Sequence, residues 1–103
     1  MAKLIAMYKT PTDAKAFDDY YYSTHVPIAK TIPGLKGYEV STGTIGTPAG
    51  ESAYHLVATL SFDSMGALQQ ALGSPEGGAA AKDLANFATG GVELIVFDHK
   101  MID

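Results

Sequence analysis

Two short apolar runs near the ends of the chain constrain the fold more than any other feature. Lys3–Lys9 is apolar between its two flanking charges, and Val92–Phe97 is apolar except for Glu93. Uninterrupted apolar runs of this length are typical of strands that are buried on both faces. The sequence therefore predicts a sheet that needs cover on both of its sides.

The residues between these runs predict further strands and helices, with boundaries marked by proline, glycine and capping residues. The predicted elements are a strand over Lys3–Lys9, a helix from an N-cap at Thr12 to about Ser23, a strand over Leu35–Ile45, a turn-rich loop over Gly46–Glu51, a strand over Tyr54–Phe62, a helix capped by Asp63 or Ser64 and stopped by Gly73, a helix that restarts at Ser74 with a stripe of Ala81, Leu84 and Ala88, and a strand over Val92–Phe97. This order in 103 residues predicts a single α+β domain over residues 1–103. The expected fold is ferredoxin-like βαββαβ, with one antiparallel four-stranded sheet.

The predicted helices of such a fold cover only one face of the sheet. The other apolar face must then be buried against something else. A second copy of the same chain is the simplest cover, because identical surfaces can pack about a two-fold axis. We therefore expect a homodimer.

A row of inward-facing residues on the first helix leads to a histidine. The spacings of three, four and four residues predict one buried helical stripe made of Ala14, Phe17, Tyr21 and His25. A histidine in this position is either a core residue bonded to a backbone carbonyl or a functional group. The pattern alone leaves both interpretations open.

Pro27 follows this histidine by two residues and predicts a break in the helix. Proline disfavours helical backbone at the preceding residue, so we expect Val26 to be extended and the helix to end near Thr24. Pro27 can then open a second, short helical turn. His25 is therefore predicted to lie at the junction of two helical pieces.

Histidine and tyrosine side chains beside an apolar cavity suit general acid–base chemistry, since histidine can take a proton and tyrosine can polarise a carbonyl or hold an enolate. We predict His25, Tyr38 and His55 as catalytic residues. The predicted substrate-binding residues are Tyr21, Phe17, Ile28 and Phe87. Tyr21 can equally be a core aromatic residue or a wall of the pocket.

The face of the sheet on which His55 lies stays open at this stage. Along Tyr54–Phe62, His55 alternates with Tyr54 and Leu56. If those two residues face the helices, strict alternation turns His55 towards the partner subunit. A single β-bulge would reverse that assignment.

Several short motifs together resemble the EthD family, named for ethyl tert-butyl ether degradation. The matching residues are Tyr20-Tyr21, Thr24-His25-Val26-Pro27, Ile32-Pro33-Gly34-Leu35, Ser74-Pro75-Glu76 and Asn86-Phe87. The resemblance covers nearly the whole chain. It implies a dimeric α/β barrel in which two sheets face each other, and it implies His25 as the functional residue. It leaves the reaction open, because proteins of this wider group include lactone isomerases, cofactor-free oxygenases, decarboxylases, polyketide cyclases and accessory proteins.

Composition excludes several classes of function. The chain has no cysteine, and all seven of its basic residues are lysines within a net charge of −4. Thiolate chemistry is thereby excluded, and nucleic acid is not an expected partner. No metal site, no nucleotide fingerprint and hence no bound cofactor is predicted. No apolar run reaches membrane length, so we expect a cytoplasmic protein without a membrane partner.

The leading hypothesis is a cofactor-independent acid–base enzyme of the isomerase, lyase or cyclase type. Its substrate would be a small apolar compound, oxygenated or aromatic, in a catabolic or secondary-metabolic pathway. One alternative is a non-catalytic accessory or binding protein of a degradation pathway. A second alternative is a cofactor-free oxygenase.

Overall fold

A four-stranded antiparallel sheet positions every other element of the chain. The computed structural model describes all 103 residues. Its elements are β1 (Ala2–Lys9), α1 (Ala14–Tyr20), a π-helical turn (Tyr21–His25), α2 (Val26–Ala29), β2 (Gly37–Val40), β3 (Gly46–Thr47), β4 (Gly50–Glu51), β5 (Tyr54–Phe62), α3 (Met65–Leu72), α4 (Pro75–Phe87) and β6 (Val92–Asp98). The sheet order is β2-β5-β1-β6, and the helices cover one face, which confirms the predicted ferredoxin-like fold. No helix combines the length and the apolar character needed to cross a membrane.

The central strand β1 shows how the sheet divides into two faces. Leu4 lies opposite Leu60 of β5 and Val96 of β6, and every second residue of β1 from Ala2 to Tyr8 is buried under the helices. The intervening residues are only half-buried. The helices therefore cover one face of β1 only, and its second face, which we expect a partner subunit to cover, is half-buried in the single chain.

The edge strand β6 departs further from its prediction. Leu94, Ile95, Val96 and Phe97 are between 38% and 49% exposed, although both faces of this strand were expected to be buried. β6 pairs with β1 along one edge only, and no helix covers its outer part. The molecule therefore presents an apolar edge strand to its surroundings.

The first helical segment continues without the predicted break. Val26 is helical, with φ −57° and ψ −47°, and its N–H bonds to the carbonyl of Tyr21 five residues earlier. In a regular α-helix the ring of Pro27 would meet the carbonyl four residues back, but the wider π turn gives it room. The N-cap is Asp13 instead of Thr12, since its carboxylate accepts a hydrogen bond from the Ala16 N–H at 3.1 Å.

The strand predicted over Leu35–Ile45 is also shorter than expected. β2 ends at Val40, and the residues that follow lead into the small β3–β4 hairpin within the predicted loop Gly46–Glu51. The helices α3 and α4 begin at Ser64 and Ser74 caps, as predicted. Gly77 allows these two helices to approach closely, because a Cβ at that position would lie 2.1 Å from the Ala71 carbonyl oxygen.

Candidate functional site

An apolar cavity of about 70 Å³ lies between the sheet and the helices. Its walls come mostly from small and aliphatic side chains of β1, β5 and α4, such as Ala6, Ala58 and Ala80. The polar side chains that line it are Tyr8, Tyr21, His25 and Tyr38. At this size the cavity admits a few waters or a small organic group.

His25 lines this cavity with its orientation fixed by a buried carboxylate. The residue is 5% exposed, and its Nδ1 lies 2.9 Å from Oδ2 of Asp83, which is 7% exposed. A carboxylate can only accept, so Nδ1–H donates and the lone pair of the neutral ring is on Nε2. Nε2 has no hydrogen-bond partner within the chain. The arrangement leaves a basic nitrogen beside an apolar cavity.

Asp83 accepts hydrogen bonds from three side chains. In addition to His25, the Tyr20 hydroxyl donates to Oδ1 at 2.6 Å and the Asn86 amide donates to Oδ1 at 2.9 Å. Burial acts to raise the pKa of Asp83, but the bonds from Tyr20, Asn86 and His25 outweigh it and hold the pKa below its usual value. Asp83 is therefore ionised at neutral pH and accepts the Nδ1–H of His25.

Tyr21 and Tyr38 form a pair of hydroxyls in the cavity, 2.7 Å apart. Burial raises the pKa of both phenols, and the hydrogen bond to Tyr38 raises the pKa of Tyr21 further. Either hydroxyl can be the donor of this bond. One hydroxyl hydrogen of the pair forms the bond, and the other is free to donate to an oxygen in the cavity.

Two residues of this site were not among the predicted ones. Tyr8 of β1 reaches the cavity with a hydroxyl that makes no bond within the chain, and burial raises its pKa. Its position follows from strand alternation, because Tyr8 lies on the same face of β1 as the buried Leu4 and Ala6. Asp83 lies on the buried stripe of α4 at helical spacing from Ala80 and Phe87. A carboxylate on such a stripe is the signal that could have found it.

The other predicted substrate-binding residues support the site without lining the cavity. The Phe87 ring lies 4.7 Å from the His25 ring, and the Phe17 ring lies 5.2 Å from that of Phe87. Ile28 is half-buried and packs against the core. These side chains fix the position of His25 and of the helical segment that carries it.

His55 lies outside this cavity. Its Nε2 is 2.8 Å from Oδ1 of Asp18, and its ring meets Phe17 edge-on at 5.1 Å, both on the helix side of the sheet. Strict alternation would have turned it away from the helices, since Leu56 faces them. The register shift between Tyr8 and Lys9, where β5 carries one extra residue, overturns that alternation. The three predicted catalytic residues thus divide into two places, with His25 and Tyr38 in the cavity and His55 beyond Phe17.

Comparison with known proteins identifies the family. Residues 9–91 match the EthD domain. An uncharacterised 11.0 kDa protein from the thcB-thcC intergenic region of Rhodococcus erythropolis is 40% identical over 104 residues, which is 99% of this chain and 98% of that protein.

Solved structures show the same relationship. An ethyl tert-butyl ether degradation (EthD) family protein from Bacillus halodurans is 39% identical, with a TM-score of 0.88 over 97% of this chain and 99% of that one. SnoaB, a cofactor-independent oxygenase from Streptomyces nogalater, shares the fold at 15% identity, with a TM-score of 0.68 over 98% of this chain and 94% of that one. The match over 83 of 103 residues and the two relatives at about 40% identity place the chain in the EthD family.

Proposed function

We propose that the chain is a cofactor-independent acid–base enzyme that moves a proton on a small, largely apolar compound with a carbonyl or phenolic oxygen. The observation that carries this proposal is the His25–Asp83 pair, because it presents the free Nε2 of a buried histidine to an apolar cavity. A buried carboxylate behind the ring favours the protonated form that proton abstraction would create. The family itself leaves the reaction open.

The proposed reaction begins with proton abstraction from a carbon next to the substrate carbonyl. The Nε2 lone pair of His25 takes the proton, and the electrons of the broken C–H bond form the enolate. The Tyr8 hydroxyl and the free hydroxyl hydrogen of the Tyr21–Tyr38 pair donate to the enolate oxygen, which lowers the barrier. The imidazolium, stabilised by Asp83, then returns the proton to the same carbon or to another one, so that the ring is neutral again.

The walls of the cavity limit the substrate. Apart from the tyrosines and His25 they are apolar, so a charged substrate would be poorly solvated there. Leu72 and Leu94 line the cavity and are also 42% and 49% exposed, which makes the passage between them a route for entry. A compound with an oxygenated head and an apolar remainder suits this arrangement.

Hydrogen–deuterium exchange tests the proposal without knowledge of the substrate. Small ketones, lactones and phenols are incubated with the protein in D₂O, and the loss of C–H signals is followed by proton NMR. We expect His25→Gln to lower the protein-catalysed rate of C–H exchange by about 10²–10⁴-fold, since an amide can still donate to Asp83 but cannot take the proton. The control is Asp19→Asn, on an exposed carboxylate paired with Lys15, which should keep the wild-type rate.

Two outcomes favour the alternatives. Saturable binding without any exchange would favour a non-catalytic binding protein of a degradation pathway. Uptake of dissolved oxygen with a bound compound would favour a cofactor-free oxygenase, the activity that the name of the similarly folded SnoaB states. An undiminished exchange rate in folded His25→Gln would contradict the proposed role of His25.

The open face of the sheet supports a homodimer as the functional form. On this face the apolar side chains are those of Ile5, Met7, Val57, Ile95 and Phe97, none of which the helices cover. Light scattering should give about twice the 10.8 kDa chain mass. Ile95→Glu places a charge in the proposed interface and should yield a monomer, whereas a monomeric wild-type protein would contradict the assembly.

A further inference from the structure

A second, polar groove lies beyond Phe17, and it shares no lining residue with the His25 cavity. Its volume is about 480 Å³, within the usual range of small-molecule sites. It lies between α1, the start of β5 and the residues around the β3–β4 hairpin. Unlike the first cavity, it is lined mostly by polar side chains.

The groove contains a second histidine–aspartate pair with a fixed orientation. The hydrogen bond that Nε2–H donates to Asp18 and the edge-on contact with Phe17 hold the His55 ring, whose side chain is 23% exposed. Nδ1 of this ring makes no hydrogen bond within the chain. A ring held at two points, with a free nitrogen at a groove, is a prepared hydrogen-bonding partner.

The charge of the groove selects the kind of ligand. Asp18 and Glu51 line it, whereas no lysine does. The hydroxyls of Tyr22, Thr42 and Thr44 also line it and have no partner in the chain. Carboxylates attract a cation, and free hydroxyls accept and donate hydrogen bonds. An anion would meet two negative charges there.

We propose that this groove is a second ligand site, separate from the His25 cavity, that binds a small hydroxylated amine. The ammonium group would pair with Asp18 and Glu51, and the hydroxyl of the ligand would bond to His55 Nδ1 and the threonine hydroxyls. The ring of Tyr22, which is half-exposed at the groove, offers a further surface for a cation.

NMR titration of isotope-labelled protein tests this site. Ethanolamine is the probe, ethylene glycol is the neutral match and acetate is the anionic match. We expect ethanolamine to shift the His55 ring and Asp18 amide signals saturably at millimolar concentration, with little shift of the His25 ring signals. Ethylene glycol and acetate should give no saturable shift.

Variants separate the groove from general charge effects. Asp18→Asn should weaken ethanolamine binding by about tenfold or more, because it removes the charged partner. Asp19→Asn changes the net charge equally but lies outside the groove, so it should leave the affinity unchanged. Should Asp18→Asn fail to fold, Glu51→Gln gives the same comparison on an exposed side chain.

Three results would overturn the inference. Ethylene glycol could match the ethanolamine shifts, Asp19→Asn could lose as much affinity as Asp18→Asn, or the probe could shift the His25 ring signals instead of those of His55. Deuterium exchange in the His25 cavity is a separate readout, so a failure of the proposed enzyme activity would leave this test intact.

Discussion

The two histidine–aspartate pairs of the molecule have the same chemistry in opposite surroundings. In His25–Asp83 both side chains are 7% exposed, and the pair adjoins an apolar cavity. In His55–Asp18 the side chains are 23% and 47% exposed, and the pair lines a polar groove. Water screens the second pair but not the first. Burial therefore distinguishes the pair proposed to take up a proton from the pair proposed to bind a polar ligand.

Supporting bonds reinforce the difference. Asp83 accepts from Tyr20, Asn86 and His25, so the loss of one partner leaves the others in place. Among the chain's side chains, Asp18 has His55 as its hydrogen-bonding partner. The buried pair is thus part of a network of three hydrogen bonds to one carboxylate, whereas the groove pair is a single contact.

The largest expected contrast is in stability. Asp83→Ala should lower the free energy of unfolding by about 3 kcal/mol, because three donors, among them the buried His25, lose their acceptor. Asp18→Ala should lower it by about 1 kcal/mol or less, since water can replace the partly exposed carboxylate. Urea unfolding of both variants measures the difference. Equal losses would mean that the two pairs do not differ as described.

Acid should weaken the buried network. The pKa of Asp83 in the folded chain lies below its ordinary value of 3.8, so the carboxylate stabilises the fold above the pKa of the unfolded chain. That contribution is lost as the pH falls through the folded-state pKa. The difference in unfolding free energy between wild type and Asp83→Asn should therefore be constant near neutral pH and shrink below about pH 4. A difference that does not change on acidification would contradict the lowered pKa.

Sequence patterns predicted the order of strands and helices and the starts of α3 and α4, because apolar periodicity and capping residues report local structure directly. The ferredoxin-like order, the Ser64 and Ser74 caps and the burial of Phe17, Tyr21 and His25 are confirmed. Ala14, which was predicted to begin that buried stripe, is exposed. The prediction of a helix break at Val26 was wrong for a local reason. Proline disfavours helical backbone at the preceding residue when the spacing is that of an α-helix, and the π turn changes that spacing.

The partners of the histidines could not be predicted, since they come from distant parts of the chain. His25 and Asp83 are 58 residues apart, and His55 and Asp18 are 37 apart. The predicted stripe of α4, Ala81, Leu84 and Ala88, lies beside the fully buried face of that helix, since Leu84 and Ala88 are only partly buried against the core and Ala81 is exposed. The buried residues are Gly77, Ala80, Asp83 and Phe87, and the carboxylate among them makes this face look polar. A buried carboxylate thus hides the burial pattern that would reveal it.

Two adjacent tyrosines give the finest test of the comparison. Tyr21 points into the cavity, where it is fully buried and hydrogen-bonds to Tyr38, whereas Tyr22 is 50% exposed at the groove with no partner for its hydroxyl. Tyr21→Phe should cost about 1 kcal/mol of unfolding free energy, because the Tyr38 hydroxyl loses its hydrogen-bonding partner. Tyr22→Phe should change stability by no more than about 0.5 kcal/mol, since water already solvates its hydroxyl.

Chemical unfolding of Tyr21→Phe and Tyr22→Phe measures both values. The double variant Tyr21→Phe/Tyr38→Phe serves as the control. If loss of the Tyr21–Tyr38 bond causes the destabilisation, the double variant should lose less unfolding free energy than Tyr21→Phe and Tyr38→Phe lose in sum. A larger loss of unfolding free energy at Tyr22 than at Tyr21 would contradict the greater stabilisation expected from the buried hydroxyl.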